Sequence, residues 1–119
     1  MRLAALLLAV ALPGTATADP AKIEGVAAVQ RDDGWVISVT LRHTDTGWGD
    51  YADAWRVELV DGTVVAQRQI KHPHVTEQPF TRSQTGIVIP PGIDRVMIRA
   101  HTLTDGWGAR RVELVLRGE

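Results

Sequence analysis

Between residues 22 and 116 several stretches place apolar residues at every second position, and no stretch shows the 3.6-residue period of an amphipathic helix. Trp35, Ile37, Val39 and Leu41 alternate with Val36, Ser38, Thr40 and Arg42, which is the pattern of a strand with one buried face. The same spacing puts Tyr51, Asp53, Trp55, Val57 and Leu59 on one face of a following strand. Asp61-Gly62 separates that strand from Thr63 to Ile70, and Asp-Gly between apolar alternations is a hairpin signal. Asp33-Gly34 marks an earlier turn, between a strand over residues 23–30 and the one starting at Trp35. Further strands are predicted over residues 84–89, 95–102 and 110–116, with Pro90-Pro91-Gly92 dividing the first two.

Seven short strands at this spacing predict an all-β fold, an antiparallel immunoglobulin-like β-sandwich, with a small closed barrel as the alternative. The connection from Lys71 to Ser83 holds Pro73 and Pro79 and is expected to cross between the sheets and to carry function. From Asp19 onward Val and Ile total 20 against five Leu, the β-branched bias of pleated packing.

Residues 1–18 are built differently. Arg2, the apolar run Leu3 to Leu12, Pro13-Gly14 and the small residues Ala16-Thr17-Ala18 form a tripartite signal peptide, with cleavage expected after Ala18. The apolar run is too short for a membrane span, which needs about 20 residues. The expected product is a single domain, residues 19–119, in the periplasm or secreted. No cysteine follows the small residues, so no lipid anchor is expected.

Cysteine is absent throughout, which removes disulfides, thiolate nucleophiles and thiolate metal sites. The formal charge is −1, and −2 once Arg2 is gone, so there is no basic footprint for nucleic acid or an anionic membrane. Ser38 and Ser83 lie in no nucleophile-elbow context, no phosphate-cradling glycine loop is present, and Asp45, Asp50 and Asp53 miss the calcium-loop spacing. The reading is therefore non-enzymatic.

Two strand ends look alike. His43-Thr44-Asp45-Thr46-Gly47-Trp48-Gly49 and His101-Thr102-Leu103-Thr104-Asp105-Gly106-Trp107-Gly108 each run from His-Thr into Gly-Trp-Gly, and strands of the same direction would bring them to one end. Trp48 and Trp107 are then either plugs over the core or a platform for a partner or ligand, with Asp45, Asp50 and Tyr51 beside them. Asp53, between Tyr51 and Trp55, calls for a partner, either Arg82 or a histidine.

All four histidines, His43, His72, His74 and His101, fall in or beside these loops. In His72-Pro73-His74 the proline holds an extended backbone, so both rings point to one side, roughly 6.5–7 Å apart at Cα. Without thiols, copper or zinc would be held by His72 and His74 with His43, His101 or a carboxylate. Strand parity opposes convergence, since His43 shares the face of Ile37 and Leu41 whereas His101 lies opposite Val96, Ile98 and Ala100, unless a bulge resets one strand.

The blocks His43-x-Asp45-Thr46-Gly47-Trp48-x-x-Tyr51-Ala52-Asp53-x-Trp55 and His72-Pro73-His74-Val75-x-Glu77-Gln78-Pro79-Phe80-Thr81-Arg82-Ser83 resemble an uncharacterised family of small secreted proteins of Gram-negative bacteria. The resemblance implies one exported domain and brings no activity or cofactor with it. The expected function is an exported binding or interaction module whose His- and Trp-rich loop end meets a partner protein or small ligand. A histidine-based copper or zinc protein and a carbohydrate-binding module are the alternatives.

Overall fold

The computed structural model describes residues 19–117, so the expected signal peptide lies outside the described residues. The chain is a β-sandwich of two antiparallel sheets, and no helix occurs among the described residues. The strands are β1 (Lys22–Arg31), β2 (Gly34–Arg42), β3 (Ala52–Glu58), β4 (Val64–Gln69), β5 (Phe80–Ile87), β6 (Arg95–Thr102), β7 (Gly106–Trp107) and β8 (Val112–Val115). One sheet has the order β1-β2-β5. The other has the order β4-β3-β6, and β7 and β8 both pair with the far side of β6. Three strands thus face five, with β7 and β8 sharing one edge of β6, in the two-sheet arrangement of immunoglobulin-like sandwiches.

Alternation decides which side chains meet between the sheets. Ile37, Val39 and Leu41 of β2 pack with Phe80 and Ile87 of β5 against Trp55 and Val57 of β3, Val96, Ile98 and Ala100 of β6, and Leu114 and Leu116. Trp55 is fully buried at the centre. On the outer face of the first sheet the pairs are polar, with Ser38 hydroxyl on Ser83 hydroxyl at 2.6 Å and Thr40 on Thr81 at 2.7 Å.

At Gly34 the hairpin brings the backbone so close to β5 that a Cβ would stand 2.7 Å from the Ile87 carbonyl oxygen, and φ is +129°. Only glycine fits there.

Three sequence expectations are corrected. The fifth strand starts at Phe80 rather than residue 84, because its register with β2 is held by the hydroxyl pairs and not by apolar alternation. The crossover after β4 is accordingly shorter than Lys71 to Ser83, though it does join the two sheets. The third correction is in β3, whose pairing with β6 shifts between Ala52 and Ala54. That irregularity takes Asp53 out of the expected stripe with Trp55 and Val57 and hands its carboxylate to Nδ1 of His101.

Candidate functional site

His43 follows β2 and keeps the inward alternation of Ile37, Val39 and Leu41, so a polar ring enters the end of the sandwich. Burying it demands partners for both ring nitrogens. Asp45 supplies the first: its Oδ1 lies 2.7 Å from His43 Nδ1, and both side chains are 0% exposed. The same carboxylate accepts the Ala52 amide at 3.0 Å on Oδ1 and the His74 amide at 2.7 Å on Oδ2. Asp45 thus ties together the connection after β2, the start of β3 and the crossover after β4. Gln78 closes the same joint, accepting the His43 amide at 3.1 Å and donating to the His74 carbonyl at 2.9 Å.

With two backbone amides already donating to it, the Asp45 carboxylate acts as an acceptor, which places a proton on Nδ1 of His43. Nε2 points the other way, toward three oxygens. The Asp19 carbonyl is at 3.0 Å, Asp19 Oδ2 at 3.4 Å and Asp50 Oδ1 at 3.9 Å. All are acceptors. A ring nitrogen facing only acceptors needs either a second proton or a cation between it and them.

Asp50 is held by the tight turn Gly47–Asp50, in which Asp50 N donates to the Gly47 carbonyl at 3.2 Å and Gly47 has φ +147°. The Thr104 hydroxyl donates to Asp50 Oδ1 at 2.8 Å, and Leu103 N to the Tyr51 carbonyl at 3.0 Å. The two look-alike strand ends therefore do emerge together.

The ligand atoms of Asp19, His43 and Asp50 all lie within 4.8 Å of one another. Around a tetrahedral zinc with bonds near 2.0–2.1 Å, ligand atoms stand roughly 3.4 Å apart. The 3.4 and 3.9 Å separations from Nε2 are close to that edge. A buried carboxylate fixing the tautomer of a histidine whose other nitrogen faces outward is the arrangement of many zinc centres.

The remaining histidines stand elsewhere. His72 and His74 lie side by side with ring centroids 4.5 Å apart, on the shared side expected from Pro73. His74 stacks on Phe80 at 4.0 Å, Arg82 donates to its Nε2 at 2.6 Å, and its Nδ1 is buried without a partner. Burial first, then the charges of Arg82 and His72, hold its pKa below the usual 6.5, outweighing Asp45 and Glu77. His101, with Asp53, belongs to the outer face of the second sheet and meets the edge of Trp107 at 4.7 Å. The four rings do not gather around one point.

Neither loop tryptophan joins the core cluster. Trp48 is 67% exposed and set edge-on to Tyr51 at 5.9 Å, whereas Trp107 is half-buried under the Arg56 guanidinium at 4.1 Å. Arg56, Arg99 and Arg111 converge on Glu58, which is 1% exposed. Burial raises the Glu58 pKa, but hydrogen bonds and charge from Arg99 and Arg56 outweigh it and hold the group below the usual 4.5.

Asp19 is the site residue that sequence reasoning missed. The signal was the hairpin register: pairing runs from Arg31 with Gly34 to Lys22 with Arg42, and three more residues bring Asp19 across from His43 to Asp45.

A protein of Halomicrobium mukohataei described as "Putative lipoprotein" is 45% identical to this chain over 73 residues, 61% of the chain. The chain spans about a third of that relative's length, 35%. No family model and no solved structure matches.

Proposed function

We propose that the chain is an exported binding module whose loop end holds a divalent transition-metal ion, zinc or copper, between His43, Asp19 and Asp50. One observation carries the reading: buried Nε2 of His43 faces three oxygens and no donor, while Asp45 fixes the ring from behind. Imidazole with carboxylate suits zinc and copper. Export is supported by the signal pattern of residues 1–18 and by likeness to a haloarchaeal protein named as a lipoprotein. The 119 residues hold no cysteine that could take a lipid. The exposed Trp48, a few residues from Asp50, gives the same end an apolar contact for a partner or small ligand.

Calorimetric titration of the mature protein with zinc tests the reading. One strong site is expected at pH 7.5, weakened more than tenfold in Asp19→Asn, Asp50→Asn, whose side chains lie outside the apolar core and leave it intact. Equal binding by that variant contradicts the assignment.

A further inference from the structure

Asp19 makes contacts with three of its polar groups at one place. Its carbonyl and carboxylate face His43, and its backbone nitrogen donates to Asp105 Oδ2 at 2.9 Å across 86 residues of sequence. Asp105 is itself fixed, since its amide donates at 3.0 Å to the hydroxyl of the buried Thr102. The signal pattern puts cleavage between Ala18 and Asp19. Hydrolysis there adds the hydroxyl of water to the Ala18 carbonyl and leaves the nitrogen of Asp19 as an amine, protonated at neutral pH.

We propose that Asp105 is the receptor for the α-ammonium of the processed chain, and that docking of this new terminus sets the Asp19 carbonyl and carboxylate against His43. An amide has one proton and no charge, whereas an ammonium has three protons and a full positive charge to offer Asp105. It also offsets part of the negative charge of Asp19, Asp50 and Asp105, which otherwise repel one another across the end of the sandwich. Asp105 is thereby a positioning residue, and removal of the signal completes the site. The second half of this inference rests on the metal reading above; the seat for the terminus does not.

Four proteins test it: the chain starting at Asp19, the same chain with Gly-Ser before Asp19, and Asp105→Asn in each. In metal-free protein, Asp105→Asn is expected to lower the melting temperature when the chain starts at Asp19 and to change it much less in the extended chain. The α-amine should titrate at higher pH in the parent than in Asp105→Asn, a signature that a merely structural aspartate would not give. Equal losses in both backgrounds, or an amine indifferent to Asp105, overturn the seat. Zinc affinity should fall about two- to fivefold with either the extension or Asp105→Asn, as for an exposed ion pair, and little further with both. Unchanged affinity overturns the positioning role. If zinc binds none of the four, the metal reading fails and the metal-free cycle still decides the seat.

Discussion

Nδ1 of His43 and Oδ1 of Asp45 meet at 2.7 Å with both side chains closed to solvent. The pair stands where β2 runs out of sheet partners, and Asp45 also accepts two backbone amides from other segments. Replacing Asp45 by Ala leaves three buried donors without an acceptor. It is expected to cost roughly 3–5 kcal/mol, read by urea unfolding, with Asp45→Asn in between. A loss below about 1 kcal/mol would mean that the joint is held by other contacts.

The two loop tryptophans should behave differently. Trp48→Ala is expected to change stability by no more than about 0.5 kcal/mol, since the indole touches little besides Tyr51. Trp107→Ala removes the surface under Arg56 and beside His101 and should cost about 1–3 kcal/mol. Chemical unfolding of both variants checks this; a larger loss for Trp48 would contradict the placement of the two rings.

Stability should fall in two acid steps. His74 has a folded pKa below 6.5, so the unfolded state takes up the proton first. Its contribution is full above pH 6.5 and is lost as pH falls from there through the lower folded value. Glu58, also lowered, contributes fully above pH 4.5 and loses that contribution as pH falls through its folded value. Unfolding free energies from pH 8 to pH 3 should show both declines. His74→Phe, which keeps the stack on Phe80, should flatten the upper step; an unchanged slope there would assign it to another group.

Zinc affinity should drop between pH 7.5 and 5.5, since the metal must compete with protons for imidazole nitrogen. Calorimetry at the two values checks it, and pH-independent binding would point to carboxylates alone.

The sandwich was legible because β2 and β6 alternate cleanly and Asp33-Gly34 and Asp61-Gly62 are turns that local chemistry dictates. β5 was misplaced because hydroxyls, not apolar side chains, hold its outer face. The parity argument separated His43 from His101, and the structure places His43 between the sheets and His101 on the outer face of the second sheet. Asp45, Asp50 and His43 were singled out from their loop, but their roles were not readable. Burial turned Asp45 from a surface contact into the support of His43, and Asp19 reaches the ring only through pairing of β1 with β2. Glu58 escaped notice because its three arginines come from β3, β6 and the segment before β8.

The most direct measurement is a crystal structure of the chain from Asp19 onward grown with zinc, with anomalous diffraction recorded on both sides of the zinc absorption edge. The expected result is one peak about 2.0–2.1 Å from Nε2 of His43, with carboxylate oxygens of Asp19 and Asp50 at similar distance. A peak at His72 and His74 instead, or none near His43, would contradict the central claim.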